Sequence, residues 1–224
     1  MMGAMAESKA KPRQVVGKRR TRKHVQERGN TRRKQMLDAA EELLASMPIE
    51  EMSFKQISEK AGVPEGSAYH FFANRYDLLT ALASELADRF GTRYRDPIQK
   101  RKVKSWYDIV DVVVDRAVQM YRESPAAMQI WLSGRTPAEV RLADHVSDKS
   151  VSSDLRALFE QFYVLPDLPA DYDIFFYFLE LSDVILSLSI IENGELTEQM
   201  IEEAKRVGRG YLGTYLPPIL EKRA

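Results

Sequence analysis

Cysteine is absent from this sequence of 224 residues. The absence excludes disulfide frameworks, thiolate nucleophiles and cysteine-based zinc sites, and it is compatible with a reducing cytoplasm. Histidine is also scarce, and the three that occur (His24, His70 and His145) are scattered along the chain. Their spacing shows no pairing of a nucleophile with a base. We therefore expect no enzyme, no catalytic residues, no metal site and no cofactor.

A long hydrophobic run is missing as well. The longest run, IFFYFL at residues 174–179, is far shorter than the roughly 20 apolar residues that span a bilayer. The N-terminus is basic, but no apolar segment of the kind found in secretory signals follows it. We therefore expect a soluble, cytoplasmic protein that makes no membrane contact.

The formal net charge is zero, but the charges are unevenly distributed. Residues 1–35 contain twelve lysines and arginines against two glutamates, so the remainder carries a matching excess of negative charge. This asymmetry predicts a basic arm for a polyanion, attached to a body that repels it; a solvated tail without a partner gives the same pattern. Residues 1–30 contain few apolar side chains, and we expect this arm to be disordered in isolation.

Helical periodicity dominates the rest of the chain, and strand alternation is not evident. An amphipathic helix is predicted to begin near Thr31 and to end before Pro48. A shorter helix follows, because Ser53 and Gln56 form the pattern of a capping box. Further helices fill the remainder of the sequence. We therefore predict an all-α fold.

A glycine and a proline break the helical pattern just after this short helix. Gly62 can adopt the left-handed conformation that ends a helix, and Pro64 fits the first turn of the next one. That next helix is predicted from Glu65 to about Phe72, and Asn74 caps a third. Two short helices joined by such a break form a helix-turn-helix, whose second helix enters the major groove of DNA.

The second helix of the pair presents small residues on one face, which lets it approach base edges. Ser67, Ala68 and His70 are candidates for reading bases. Glu65 can accept a hydrogen bond from cytosine or face away from DNA. No lysine or arginine lies on this helix, so most of the affinity is expected from phosphate contacts, aided by the basic arm. The predicted DNA-contacting residues are Ser53, Pro64, Glu65, Gly66, Ser67, Ala68, Tyr69, His70, Asn74, Arg75, Arg32 and Arg33.

The stretch AGVPEGSAYHFFANRYDLL, residues 61–79, resembles the DNA-binding domain of TetR-type transcriptional regulators. The resemblance implies that Ser53 and Arg75 contact DNA phosphates and that Tyr69 reaches the DNA backbone. Such roles suit hydroxyl groups, a positive charge and the N-terminus of a helix.

The same resemblance implies an architecture of three parts. After the arm over residues 1–30, a DNA-binding domain covers 31–78, and an all-helical body over 79–224 dimerises and usually encloses a ligand cavity. The sequence departs from the family pattern at Pro64, where a serine is usual, and at Glu65, where many members are basic. These departures leave open which bases are read.

The last two predicted helices, over residues 171–192 and 196–216, are the predicted dimer interface. The first of them is apolar nearly all round, which is more than one buried stripe needs. Two such helices from each subunit form a four-helix bundle, and an ordinary core within one chain is the alternative. The predicted interface residues are Phe178, Leu181, Ile185, Leu188, Val207, Gly208, Tyr211, Leu212 and Tyr215.

Three glycines in this region match the GxGxxG dinucleotide pattern. No strand precedes Gly208, Gly210 and Gly213, and they fall in a predicted helix, so the structural context of a dinucleotide site is missing. We predict that this stretch is a face for helix packing.

Aromatic and methionine side chains of the body are candidates for a ligand pocket, because they suit apolar and promiscuous binding. The same side chains also make a plain core. Glu180 and Asp183, three residues apart, could order a polar ligand or a cation, although a solvated or dimer-rim position is favoured. The predicted pocket residues are Trp106, Tyr121, Met128, Trp131, Phe175, Phe176 and Tyr177.

These features together predict a ligand-responsive repressor that binds a palindromic double-stranded DNA operator as a homodimer. Two heads dock in successive major grooves about 34 Å apart, and a small-molecule effector in the body changes their separation. There are two alternatives. One is a helical small-molecule-binding or processing enzyme with a vestigial DNA-binding head, and the other is a nonspecific DNA-coating protein driven by the arm.

Overall fold

The structure is a computed structural model that describes the backbone of residues 17–223 and the side chains of 29–141 and 151–223. Nine α-helices make up most of this described part of the chain. Residues 1–16 of the predicted arm lie outside this range. Within the described residues there is no strand, only an isolated bridge between Tyr163 and Lys222. The predicted all-α fold is confirmed. The helices are α1 (Gly17–Leu44), α2 (Phe54–Lys60), α3 (Glu65–Ala68), α4 (Arg75–Tyr94), α5 (Trp106–Glu123), α6 (Pro125–Leu132), α7 (Ala138–Glu160), α8 (Ile174–Asn193) and α9 (Glu198–Leu212), with a 3₁₀ turn at Lys100–Lys102.

Helix α1 is longer than predicted, because it begins at Gly17 rather than near Thr31. Lysine, arginine, glutamine and glutamate dominate its first half, and these residues favour helices even without an apolar face to bury. Its second half buries Met36 and Ala40 in the core. Residues 17–30 of the predicted arm therefore belong to α1 in this structure, and their disorder in isolation stays a prediction.

The head consists of α1, α2, α3 and the start of α4 around one apolar core. Helix α1 packs against both α2 and α4, and α2 packs against α3. Each helix is too short or too polar to be stable alone, so burial of its apolar face supplies most of its stability. The core of the head includes Met36, Leu37, Ile57, Ala68, Phe72 and Leu78.

Helix α4 joins the head to the body without a linker. It begins at Arg75 in the head, ends at Tyr94, and packs more extensively against α7 than against any other helix. Leu82, Leu86 and Phe90 are buried along its length. A helix of 20 residues is about 30 Å long, so the head and the body share one stiff element.

Helix α9 packs closely against α8 and α5 at a single glycine. A Cβ atom on Gly208 would lie 2.8 Å from Cδ2 of Phe178 and 3.1 Å from Cγ1 of Val110. Only a residue without a side chain allows this approach of the α9 backbone. The predicted helical context of the GxGxxG stretch is confirmed, since Gly208 and Gly210 lie in α9.

Helix α8 alone, among the helices that the structure describes, has the length and composition of a membrane-crossing segment. Its mean hydropathy reaches 2.0, and 33% of that window is buried. The helix itself was predicted, but the longest uninterrupted apolar run does not show its full apolar length, because serines and single charges interrupt it. A helix that buries one face in a protein core and presents a second to a partner has the same composition.

Candidate nucleic-acid interface and body cavity

The predicted capping box fixes the start of α2. The Gln56 N–H donates to Ser53 Oγ at 3.2 Å, and the Ser53 N–H donates to Gln56 Oε1 at 2.7 Å. These reciprocal bonds satisfy two amides that a helix start leaves without intrahelical partners. Ser53 is exposed, so its hydroxyl lies at a helix N-terminus, where an anion is favoured.

The turn between α2 and α3 depends on Gly62. Its φ of 64° lies in the left-handed region, which glycine adopts without steric cost. The Val63 N–H then donates to the Ser58 carbonyl at 3.0 Å and closes the end of α2. The Pro64 carbonyl accepts from the Ser67 N–H at 2.7 Å and starts α3. The predicted helix-turn-helix is therefore present.

Helix α3 is a single turn and is shorter than predicted. It spans Glu65–Ala68, and the chain continues in turns rather than as a helix to Phe72. Gly66 is a poor helix former. Phe72 is only 2% exposed, so its burial in the head core draws the chain away from the helix axis.

Helix α3 and the residues that flank it carry most of the predicted base-reading residues on their outer surface. Ala68 is the exception, because it is fully buried in the head core. The prediction that Ala68 reads bases is therefore wrong, since the inner face of a one-turn helix cannot reach DNA. The exposed or half-buried residues of this surface are Pro64, Glu65, Gly66, Ser67 and His70.

Tyr69 is held at the edge of this surface by aromatic packing. Its ring lies against Phe54 with 4.8 Å between the centroids, and the side chain is 53% exposed. Because Phe54 is the residue after Ser53, the packing keeps the Tyr69 phenol close to the start of α2. Tyr69 and Ser53 thus offer two hydroxyl groups on the same part of the head.

The start of α4 is capped as predicted. The Asp77 N–H donates to Asn74 Oδ1 at 3.0 Å, and Asp77 Oδ2 accepts from the Ala73 N–H at 2.9 Å. Asn74 is exposed. Its side-chain oxygen is therefore used to cap the helix on the surface of the head.

Arg75 has a structural contact that the sequence prediction missed. Its Nη1 donates to the carbonyl oxygens of Met52 at 2.8 Å and Glu50 at 3.2 Å. The guanidinium group also lies over the Tyr76 ring, 5.2 Å from its centroid. Arg75 therefore supports the segment that leads into Ser53, and no local sequence signal marks such a contact.

Lys34 of α1 forms two ion pairs on the protein surface. Its Nζ donates to Asp38 Oδ1 and to Glu85 Oε1, both at 2.6 Å. The hydrogen bond to Asp38 is the largest cause of a raised pKa for Lys34, followed by the bond to Glu85. This lysine therefore joins α1 to α4.

Arg32 and Arg33 are also exposed on α1, and Arg33 lies beside the turn that follows α3. The Arg33 guanidinium lies over the Phe72 ring, 4.9 Å from its centroid. A Cβ on Gly29 would lie 3.9 Å from Cε1 of Phe71. The first three turns of α1 therefore extend from a point beside the turn that follows α3.

A cavity of about 210 Å³ lies between α6, α7 and α8. This volume is below the roughly 300–1,000 Å³ of typical small-molecule pockets. Glu180 and Asp183 both line it and are half-buried, and the solvated or dimer-rim position favoured from the sequence stays a prediction. Among the residues that the structure describes, no cluster of histidine, aspartate and glutamate fit for a metal ion occurs. The lining residues are Ile130, Trp131, Gly134, Thr136, Val140, Arg141, Glu180, Asp183, Val184, Ser187 and Leu188.

Trp131 is the predicted pocket residue that lines this cavity. Tyr121 lies behind it, with 6.2 Å between the ring centroids, and donates its hydroxyl to Asp183 Oδ2 at 2.9 Å. Trp106 is buried elsewhere, where its Nε1 donates to the Pro217 carbonyl at 2.9 Å. Trp106 is therefore a core residue, and the prediction that it lines a pocket is wrong.

The other four predicted pocket residues also lie away from this cavity. Met128 is half-buried against the core, and Phe175 packs on Phe159 with 5.1 Å between the ring centroids. Phe176 and Tyr177 contact each other at the start of α8, with 5.4 Å between their centroids. Composition identifies these side chains as apolar or aromatic, but it does not distinguish a position in the core from a position on the wall of a cavity.

Three of the predicted interface residues are buried within the chain itself. Phe178, Gly208 and Leu212 belong to the body core, where α8 and α9 pack together. The prediction that they contact a second subunit is wrong for these three, because the same chain already covers them. The remaining predicted interface residues are exposed or half-buried: Leu181, Ile185, Leu188, Val207, Tyr211 and Tyr215.

An exposed apolar stripe, named here the α8 stripe, runs along the outer face of α8. Its members are between 36 and 60% exposed. They follow one another at alternating intervals of four and three residues, which is the heptad spacing of helices that pack against a partner helix. The prediction included Leu181 and Leu188 but missed the spacing that unites the set. The α8 stripe consists of Tyr177, Leu181, Val184, Leu188 and Ile191.

Tyrosines extend the α8 stripe at its N-terminal end. The ring of Tyr177 contacts that of Tyr172, whose hydroxyl lies 3.1 Å from the hydroxyl of Tyr215. Tyr211 completes the group, and burial raises the pKa of its phenol above the ordinary value. The raised pKa keeps the Tyr211 phenol neutral at neutral pH, and the four tyrosines together form an aromatic surface.

A helix-turn-helix head continuous with an all-helical body is the architecture of a DNA-binding regulatory protein. Two family models match the chain. The model described as bacterial regulatory proteins, tetR family, matches residues 36–82, and the model described as tetracyclin repressor-like, C-terminal domain, matches residues 104–216. The chain belongs to the TetR family of bacterial transcriptional regulators, as its sequence predicted.

Individual relatives are more distant. The chain is 31% identical over 67 residues to the fatty acid metabolism regulator protein of Bacillus subtilis, which is 30% of this chain and 34% of that protein. It is 26% identical over 102 residues to the transcriptional regulator BetI of Escherichia coli, which is 46% of this chain and 52% of BetI. The chain thus spans about a third to a half of the length of these curated relatives.

A solved structure shares the fold over most of the chain. The TetR-family transcriptional regulator from Streptomyces coelicolor superposes with a TM-score of 0.63 at 24% identity. The match covers 83% of this chain and 99% of that one. The similarity therefore includes both the head and the body.

Proposed function

We propose that this TetR-family protein is a ligand-responsive repressor, without enzymatic activity, that binds a palindromic DNA operator as a homodimer in the cytoplasm. The observation that carries the proposal is the exposed surface of the head, where α3 and two hydroxyl side chains, Ser53 and Tyr69, lie side by side. Family membership supports the same function, because the relatives named above are regulators.

Within this surface the residues divide into two groups. Ser53 and Tyr69 contact phosphates, and Arg75 holds the loop before Ser53 while its positive charge faces the DNA backbone. Ser67, on the outer surface of α3, and His70, in the turn that follows it, hydrogen-bond to base edges in the major groove. The phosphate contacts set the position of the head, and the base contacts set the sequence.

The dimer forms through the α8 stripe, which no other part of the described chain covers. A heptad stripe on each subunit pairs with its symmetry mate, so that α8 and α9 of both subunits form a four-helix bundle. The two heads then reach successive major grooves about 34 Å apart. A small effector in the cavity between α6, α7 and α8 changes this separation, because the cavity shares Val184 and Leu188 with the stripe.

The test of this function is selection of DNA from a random pool by the purified protein. We expect a palindromic winner that binds at least about a thousandfold more tightly than a scrambled control at the same salt concentration. Fluorescence anisotropy measures both affinities. Equal affinity for the two duplexes would instead identify a nonspecific DNA-coating protein.

The basic arm is expected to add affinity without sequence preference. Binding to operator and to scrambled DNA should weaken by the same factor when glutamine replaces five basic residues of the arm, namely Lys18, Arg19, Arg20, Arg22 and Lys23. The slope of log affinity against log salt should become shallower by about 0.9 for each phosphate that the arm no longer neutralises.

The matched control is His70→Ala, which should change the selected sequence and leave the salt slope unaltered. Salt titrations of both duplexes with both variants supply the comparison. The division of roles is refuted if the arm variant changes sequence preference, or if the His70 variant changes only the salt slope.

A further inference from the structure

The side-chain amide of Gln129 joins α6 of the body to the connection between α1 and α2 of the head. Its Nε2 donates to the carbonyl oxygens of Leu44 at 2.6 Å and Met47 at 2.8 Å, and its Oε1 accepts from the Ile49 N–H at 2.8 Å. The Leu44 carbonyl ends α1 and has no partner within the helix. One half-buried amide thus uses both its donor and acceptor groups on a single loop of the head.

This loop, residues 45–52, leads directly into the proposed DNA surface. Its last residues hydrogen-bond to Arg75 at the start of α4, as described above, and the next residue is Ser53. Arg135, just after α6, forms an ion pair with the Glu50 carboxylate. The loop is therefore held by the head on one side and by the end of α6 on the other.

The opposite side of α6 faces the cavity. Trp131, two residues after Gln129, lines its wall. Thr136, which also lines the cavity, donates its hydroxyl to the backbone carbonyls of Gln129 at 3.2 Å and Ile130 at 2.5 Å. Thr136 therefore links the wall of the cavity to the backbone that carries the Gln129 amide.

We propose that Gln129 is a positioning residue that couples the cavity to the placement of Ser53 and α2. The inference rests on the proposed DNA-binding function and adds the physical contact through which regulation acts. When α6 shifts, the amide leaves three backbone partners, and the loop no longer fixes the start of α2. Coupling between two sites is reciprocal, so DNA bound to the head must also disturb α6.

Trp131 reports this reciprocal effect without any need for the natural effector. The probe is the selected operator duplex, added to saturation while tryptophan emission is recorded. Subtraction of the Trp131→Phe variant removes the signal of Trp106. We expect operator to change the Trp131 emission of the wild-type protein.

Gln129→Met keeps the length of the side chain but removes all three hydrogen bonds. We expect it to weaken operator binding about tenfold, as the loss of such bonds requires, and to remove the Trp131 change even when operator is saturating. Gln119→Met is the matched control, because Gln119 Nε2 donates to Glu123 on the outer face of α5.

The outcomes separate the two proposals. A wild-type protein that selects no DNA contradicts the proposed function itself. Operator binding without a Trp131 change, or a full change in Gln129→Met, overturns the coupling role. If Gln129→Met fails to fold by circular dichroism, Gln129→Glu keeps the acceptor but loses both donors, and the same emission criterion applies to it.

Discussion

Glutamate at both Leu181 and Val184 is expected to convert the protein to monomers and to lower operator affinity by about a hundredfold or more. The two side chains are 36% and 54% exposed in one subunit, so the substitutions are tolerated by the monomer. In the dimer they bring four carboxylates into an apolar seam, where unpaired charges are strongly unfavourable. A monomer also loses the gain from binding two half-sites at once. Light scattering coupled to size exclusion gives the mass, and anisotropy gives the affinity.

The control uses exposed apolar residues that lie outside α8. Val164 is 44% exposed and Ile219 is 88% exposed. Glutamate at these two positions should leave both the mass and the operator affinity at wild-type values. A stripe variant that stays dimeric with full affinity would show that the α8 stripe is not the subunit interface.

Alanine at Gly208 is expected to lower the free energy of unfolding by about 1–3 kcal/mol. The added Cβ would lie 2.8 Å from Cδ2 of Phe178 and 3.1 Å from Cγ1 of Val110. The Phe178 ring is fully buried, so it cannot rotate away, and α9 must move outward instead. Urea unfolding followed by circular dichroism measures the change.

Gly210 provides the opposite case two residues further along α9. A Cβ at Gly210 meets no atom within 4 Å, and alanine is a better helix former than glycine. Gly210→Ala should therefore raise the free energy of unfolding by about 0.5–1 kcal/mol. Equal effects at the two glycines would contradict the close contact between α8 and α9.

The sequence predicts those parts of the fold that depend on neighbours along the chain. The capping box at Ser53, the left-handed Gly62 and the cap at Asn74 all involve bonds over three to five residues. Such signals are readable because the donor and the acceptor stand in one short stretch. The helix-turn-helix and the surface that it presents follow from them.

Contacts between distant residues could not be read in the same way. The Gln129 amide reaches carbonyls more than 80 residues away, and nothing in its neighbourhood distinguishes it from a solvated glutamine. The sequence predicts a DNA contact for Ala68 and a subunit contact for Phe178, because the pattern of one helix does not show which of its faces is buried. Packing against the other helices decides which face is inside, and that choice is made only in three dimensions.

The continuity of α4 has a consequence for how such a protein acquires a new target. Head and body are joined by the phase of one helix rather than by a tether, and one residue inserted within α4 would turn the head by about 100° and shift it by about 1.5 Å. A head transplanted from another regulator must therefore be spliced in at the same helical phase. Substitutions on α3 leave that phase untouched, so new target sequences are reached by exchange of residues rather than by changes of length.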